Sequence, residues 1–334
     1  SRGDILEVIQ SGMELPSGTL IFEDPPAHTA HRSLLSRVFT PRRMAALEPK
    51  VREYCAECLD PLIGADEIDL VADLGAVVPM KVIGMLLGIP DTDQDHIRKR
   101  ADASLRTEPG KPMEDVSGAV DGEVFADYID WRTQHPSDDL MTALLTTEFE
   151  DEAGVRRTLT REEALTYTHV VAGAGNETTN RLIGWLGKVL GEHPDQRREL
   201  VADRSLIPNA IEETLRFEPI GPHVARYVAR DTEYYGTTVP AGSAMLLLVG
   251  SANRDERRYA DPDRFDIHRE IGQHLTFGYG LHYCLGAALA RLEGRIALDE
   301  VLGRFPDWTP DLGRAQLSPT STVRGWESMP IRIG

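Results

Sequence analysis

Cys284 stands in the stretch LTFGYGLHYCLGAALARLEGRI, residues 275–296, behind Gly278 and Gly280 and directly ahead of a helical pattern read from Leu285 onward. A thiolate is a strong, soft metal ligand, and its electron donation is moderated when backbone N–H groups and a helix N-terminus point at the sulfur. Glycines let the chain turn tightly past a flat ligand. One cysteine cannot build a zinc or iron–sulfur site, but it can be the proximal ligand of a haem. It would equally pass as a buried structural thiol beside a glycine turn. Three other groupings bear on the choice. In NAIEETLRFEP, Glu213 and Arg216 fall on one helix face, where a charged pair can lock against a third partner. In AGAGNETTN, Gly173 and Gly175 weaken a helix, and the Thr178 hydroxyl can bond back to a carbonyl and open a turn. Small residues could simply allow close helix packing, yet that leaves unexplained why Glu177 and Thr178 sit in the apolar centre of a helix. In PPAHTAHRSLL, His28 and Arg32 lie one turn apart, with His31 three residues from His28.

These groups need a scaffold, and the chain's periodicity predicts a mostly helical one with few strand signals before residue 220. TPRRMAALEPKVREYCAECLDPLI opens with Thr40 as N-cap and Pro41 at the first helical position. From Thr160 and Glu163, a capping box, a helix is expected to run about eight turns to His193-Pro194, carrying Glu177 and Thr178 at its middle. Between roughly 223 and 250, β-branched and aromatic residues broken by Gly236 and Pro240-Ala241-Gly242 predict a small sheet. RTEPGKPMEDVSG, 106–118, is the expected mobile loop. Helices with a minor sheet, in one domain over 1–334, is the reading.

Composition excludes several function classes. The 334 residues carry 36 basic and 54 acidic side chains, a net charge of −18, with no run of Lys and Arg interleaved with aromatics. Nucleic acid is not the expected partner. The longest apolar run is read as AMLLLVG from Ala244, far short of the ~20 residues of a membrane span. The opening residues, SRGDILEVIQSG, lack the pattern of a signal peptide, and three cysteines offer no disulfide framework, so a reducing cytoplasm is expected. Cys55 and Cys58 form a C-x-x-C pair without a second pair, on a helical pattern that suits a structural role.

The stretch around Cys284 resembles the haem-ligand loop of the cytochrome P-450 family, F-x-x-G-x-(R/H)-x-C-x-G, with Phe277, Gly280, His282, Cys284 and Gly286 in its places. The family's E-x-x-R is matched by Glu213 and Arg216, and its later loop arginine by Arg264 in ADPDRFD. AGAGNETTN looks like the family's (A/G)-G-x-(D/E)-T segment, through Ala174, Gly175, Glu177 and Thr178, and PPAHTAHRSLL matches H-x-x-x-R through His28 and Arg32. Motifs in the family's order run from His28 to Pro330. Only 27 residues precede His28, whereas members usually carry several dozen there, so the resemblance implies a fold lacking its N-terminal portion.

The resemblance implies a haem-thiolate monooxygenase holding haem b, with Cys284 on the iron and His28, Arg32, Arg226 and His282 at the propionates. Glu213, Arg216 and Arg264 would brace the wall behind the haem, and Thr178 with Glu177 would deliver protons to dioxygen. One oxygen atom would enter a C–H bond of a small apolar substrate. Val170, Ala174, His223, Val224, Thr322 and Val323 would face that substrate. Electrons would come from a separate ferredoxin and its reductase, docking near Arg291 and Arg295. A peroxide-driven peroxygenase is the alternative within the enzymes, against which the Glu177–Thr178 pair argues. A haem-binding or sensor protein without turnover is the alternative outside them.

Overall fold

The computed structural model describes residues 19–104, 123–151, 153–320 and 322–334. The segment 106–118, expected to be a mobile loop, lies outside the described residues. The helices are α1 (Ala27–Ser36), α2 (Pro41–Ala45), α3 (Glu48–Leu59), α4 (Val78–Leu87), α5 (Asp91–Ser104), α6 (Ala126–Gln134), α7 (Leu140–Thr146), α8 (Arg161–Glu192), α9 (Pro194–Ala202), α10 (Ile207–Phe217), α11 (Val249–Ala252) and α12 (Ala287–Arg304). Strands are short: β1 (Glu67–Asp69), β2 (Phe149–Glu150), β3 (Arg156–Arg157), β4 (Val224–Tyr227), β5 (Thr232–Tyr234), β6 (Thr237–Val239), β7 (Ala244–Leu247), β8 (Trp308–Pro310), β9 (Gln316–Leu317), β10 (Trp326–Ser328) and β11 (Pro330–Ile333).

The axis of the molecule is α8. Its start is fixed reciprocally: the Thr160 hydroxyl accepts from the Glu163 N–H at 3.2 Å and the Glu163 carboxylate accepts from the Thr160 N–H at 2.8 Å. It stops at His193 because Pro194 follows, and the His193 N–H still donates to Val189 at 3.1 Å. Between those ends the helix is continuous. The Thr178 hydroxyl does donate back to the Ala174 carbonyl, at 2.8 Å, without breaking the helix. Most of α8 is buried against α4, α12, the Leu70–Gly75 segment, β8 and β10. Thr40 caps α2 as expected, with Pro41 in the first turn, but the chain breaks at Ala46-Leu47 before α3.

The hairpin region forms two separate antiparallel ladders. β4 pairs with β7 in the register Val224↔Leu247, and β5 pairs with β6 through a turn in which Tyr235 and Gly236 both have positive φ, 49° and 79°. The largest sheet was not legible in the sequence: β11 lies between β1 and β8, with Glu67 opposite Arg332 and Ile331 opposite Pro310. Each strand has three or four residues, too short for an alternating pattern, and β1 lies hundreds of residues from its partner β11.

A longer apolar stretch than AMLLLVG exists. Leu70–Leu87 is apolar enough by length to cross a bilayer, but it divides into a π-helical turn, Leu70–Gly75, and α4, and most of it is buried in this fold.

α12 crosses beneath α8 and is packed on α3 and α10. At its buried centre is Glu293, 1% exposed, with neither carboxyl oxygen meeting a hydrogen-bond partner among the described residues. Burial pushes its carboxyl up to about 8. An unfolded glutamate titrates near ~4.3, so the folded chain holds an extra proton between these values and stability falls as pH rises through that window. Glu293→Gln, which keeps the shape without the charge, should flatten this decline, worth up to about 1.4 kcal/mol per pH unit. Urea midpoints of both proteins across the window check it, and parallel curves would refute the assignment.

Candidate active site

The loop bearing Cys284 is shaped by hydrogen bonds of its own backbone. Gly278 and Gly280 take positive φ, 75° and 73°, where a side chain would be strained, and the Cys284 N–H folds back to the Phe277 carbonyl at 2.8 Å. Phe277 is buried, and the Arg291 guanidinium lies 4.4 Å above its ring. The helix begins at Ala287, two residues later than its pattern suggests, with Gly286 as its cap. That delay leaves the Gly286 N–H to donate to Cys284. Crowding by the loop raises the thiol, opposed by Gly286, Arg32 and Arg291, although the residue is open on its outer side.

The other end of the site is basic. His28 on α1 is 1% exposed, and neither ring nitrogen has a hydrogen-bond partner among the described residues. The His282 ring lies 4.3 Å from it. Burial lowers His28, with His282 and Arg32 adding to the effect; burial lowers His282, and Arg226 and Arg32 again repel its proton. Arg32 also donates to the Tyr283 carbonyl, tying α1 to the Cys284 loop. Arg226, on β4, bonds only its neighbour's carbonyl among the side-chain contacts described. Four basic side chains thus converge, two of them imidazoles with depressed proton affinity, His28 buried and His282 half-buried, which is the arrangement an anion would relieve. His31 is elsewhere: it pairs with Glu23 at 2.9 Å and sits edge-on to Tyr167.

Behind the loop, Glu213 and Arg216 form a bidentate pair at 2.7 and 2.8 Å, both 0% exposed. The third partner is not Arg264. Arg269 donates its Nε to Glu213 at 3.1 Å, whereas the Arg264 side chain points outward, 3.8 Å from Asp266. Arg264 contributes its backbone: its carbonyl accepts from both Arg216 and Arg269. The sequence motif placed an arginine in this loop, but two are available there and only the path of the turn selects between them. Arg216 also donates to the carbonyls of Asn253 and Pro262. Asn253 in turn accepts from the Leu275 N–H and donates to the Thr276 hydroxyl, at the root of the Cys284 loop.

Arg291 is likewise committed inside the protein. It forms a bidentate pair with Glu212, at 2.6 and 2.8 Å, and reaches the Tyr283 hydroxyl. Burial would raise the Glu212 carboxyl, but Arg291 and His274 hold it down to about 2. Arg295 spends its Nε on the Arg291 carbonyl. Neither Glu212 nor His274 was singled out from the sequence, since a Glu beside E-x-x-R carries no signal of its own.

On α8, Val170, Ala174 and Thr178 form a stripe at four-residue spacing that is at least partly exposed, on a helix that is mostly buried. Glu177 is turned to a different side: it is 2% exposed and accepts from Arg181 at 3.0 Å. His223 and Val224 lie at the start of β4, and Thr322 and Val323 in the turn before β10. Cys55 is buried, its thiol raised chiefly by desolvation, and Cys58 is half-buried; both are free thiols on α3.

The family model for cytochrome P450 matches residues 113–323 of the chain. The cytochrome P450 monooxygenase PikC of Streptomyces venezuelae is 37% identical over 318 residues, covering 94% of this chain and 75% of that protein. The vitamin D(3) 25-hydroxylase of Pseudonocardia autotrophica is 37% identical over 322 residues, covering 96% and 79%. Among solved structures, a mutant of P450 EryK in complex with erythromycin B superposes with a TM-score of 0.89 at 32% identity, covering 98% of this chain and 85% of that one. The chain belongs to the cytochrome P450 family and has its fold. It is an oxidoreductase of the monooxygenase kind, and its cofactor is haem b.

The residues present fit that group. Haem b offers two carboxylates and an iron. The orphaned His28 ring beside His282, Arg32 and Arg226 suits the carboxylates, and the thiol of Cys284 suits the iron.

Arg269 and Arg264 give a direct test of the buried brace. Arg269→Ala strips a partner from a carboxylate with no solvent contact and should cost on the order of 3 kcal/mol, with loss of haem loading. Arg264→Ala should stay within about 0.5 kcal/mol. Urea midpoints and haem content report both, and equal losses would assign the bracing role to Arg264 after all.

Proposed function

We propose that the chain hydroxylates a small apolar organic substrate, as one cytoplasmic haem domain over 1–334, with electrons from a separate ferredoxin and its reductase. The observation that carries this reading is the meeting of a thiol-bearing glycine loop with a buried imidazole that has no partner of its own. Bound haem b supplies the redox chemistry that activates dioxygen. The protein's part is to hold, orient and move protons.

Cys284 would ligate the iron, with its electron donation moderated by the Gly286 N–H, and Phe277, with Arg291 over its ring, would pack alongside. His28, Arg32, Arg226 and His282 would hold the propionates, whose charge would offset the repulsion and burial that lower the proton affinity of the two imidazoles. Thr178 stands on the stripe with Val170 and Ala174, so its hydroxyl faces the reacting side. Its proton is directed at the Ala174 carbonyl, which leaves the oxygen lone pairs to order a water there. Glu177 is the acid that feeds that water. Val170, Ala174, Val224, Thr322 and Val323 form the apolar wall, and His223 is the polar group able to orient a substrate hydroxyl or carbonyl. The relatives PikC and the vitamin D(3) 25-hydroxylase are named for monooxygenation and hydroxylation, which supports the reaction class. With Arg291 and Arg295 held by internal partners, the electron donor is expected to meet the exposed Tyr279 and Leu281 of the Cys284 loop rather than those two cations.

Reduced protein with carbon monoxide should show the absorption band from which the family takes its name, and Cys284→Ala should lose it. A spectrum typical of histidine-ligated haem in the unmutated protein would sink the ligand assignment. Thr178→Ala should bind substrate and consume NADH but yield about 10²-fold less product per NADH, with hydrogen peroxide making up the difference. An unchanged ratio of product to NADH would mean that another donor supplies the proton.

A further inference from the structure

Glu177 and the C-terminal turn are held by one guanidinium. Arg181 lies one helical turn beyond Glu177 on α8 and is 5% exposed. Its Nη2 donates to the Glu177 Oε1 at 3.0 Å and to the Ser318 hydroxyl at 2.9 Å, and its Nη1 to the Trp326 carbonyl at 2.5 Å. Ser318 and Trp326 are the two ends of the turn that carries Thr322 and Val323. The turn is closed by the Ser318 N–H donating to the Gly325 carbonyl at 2.9 Å and by the Thr320 hydroxyl bonding the Val323 carbonyl. The fit against α8 is tight: a Cβ at Gly325 would lie 2.5 to 2.8 Å from Cβ, Cγ and Cδ of Arg181. One turn further along α8, Trp185 donates to the Arg324 carbonyl at 3.2 Å and packs edge-on to Trp326.

A planar guanidinium serves several fixed acceptors at once, so none can move without the others feeling it. We propose that Arg181 is a positioning residue that joins the substrate-facing C-terminal turn to Glu177, so that contact of substrate with Thr322 and Val323 and delivery of protons through Glu177 are set by the same group. The inference rests on the reading that Glu177 with Thr178 delivers protons and that the turn faces substrate. It adds that the two tasks are coupled. A substrate that seats the turn fixes Arg181 and, through it, the Glu177 carboxylate. A substrate that leaves the turn displaced also leaves the carboxylate misaligned, and NADH is spent without product. The substrates that are turned over productively are therefore those long enough to reach from the Thr178 stripe to Val323.

The test uses the haem-loaded enzyme with a substrate identified by its spin-state shift. Arg181→Lys keeps a positive charge beside Glu177 but, with its donors on a single nitrogen, cannot span the three separated acceptors that the planar fork reaches, and Ser318→Ala removes one contact without changing any charge. Both should weaken the spin-state titration and lower product per NADH together, each by roughly 2- to 30-fold, the range open to a coupling residue. Hydrogen exchange at the Ser318 amide should rise in Arg181→Lys. A purely structural role for Arg181 would lower the melting temperature and haem content while leaving both ratios intact in the loaded protein, and that result overturns the proposal. So does a change in one ratio alone. Thr178→Ala separates the layers: if it leaves product per NADH unchanged, the proton-delivery reading fails whatever Arg181 does. If it lowers product per NADH with the spin-state titration intact while Arg181→Lys moves neither, only the coupling fails.

Discussion

A carboxylate and a guanidinium that are both 0% exposed can persist only if each meets nearly every partner it requires, and Glu213 and Arg216 do. Glu213 accepts from Arg216, Arg269 and the Asp266 N–H. Arg216 holds the carbonyls of Asn253, Pro262 and Arg264, three points on the long connection between α11 and the Cys284 loop. That connection contains no helix or strand, so its backbone groups need these partners in place of a ladder. Asn253 carries the constraint onward to Leu275 and Thr276. The position of Cys284 is therefore inherited from an ion pair on another element, and Glu212, the next residue on α10, adds a second tie through Arg291 and His274.

The second constraint is electrostatic. In a chain of net charge −18, the site gathers Arg32, Arg226 and two imidazoles. The surrounding acids cannot neutralise them: Glu23 is engaged with His31, and its pull on His28 is outweighed by burial and by the neighbouring cations. Such a cluster weakens the fold until an anion joins it. Haem b would do so with its propionates, and cofactor binding would then be part of the stability of α1 and the Cys284 loop. The buried His28 ring, with both nitrogens unsatisfied, is the local cost carried for that function.

α8 serves two chemistries because a helix has more than one face. Val170, Ala174 and Thr178 share one side at four-residue spacing, small enough to leave room above them. Glu177, Arg181 and Trp185 share another: Arg181 and Trp185 engage the C-terminal segment directly, and Glu177 is joined to it through Arg181. Residues adjacent in sequence thus report to different parts of the molecule. An acid and an alcohol that read as one motif stand about 100° apart around the axis, the alcohol bonded to the Ala174 carbonyl and the acid to Arg181.

Local chemistry determined much of this protein by sequence alone. The capping box at Thr160 and Glu163, the stop at Pro194, the N-cap at Thr40 and the positive-φ turn at Gly236 follow from interactions within a few residues, and each is where the pattern placed it. The Cys284 loop was legible for the same reason: glycines, thiol and helix start are consecutive, and the helix merely begins two residues later so that Gly286 can face the sulfur. What required the tertiary structure was any choice among chemically equal residues. The motif selects Arg264, but Arg269 lies five residues on in the same connection, and the turn from Ala260 to Arg269 brings this second arginine onto Glu213. Arg291 looked available for a partner until Glu212 was found beside it, and the central sheet joins three- and four-residue strands that carry no periodic signal. Sequence specifies which groups can pair within reach of a turn or a helix face. Long-range pairing depends on where separate segments come to rest, and that is set by the packing of the whole core.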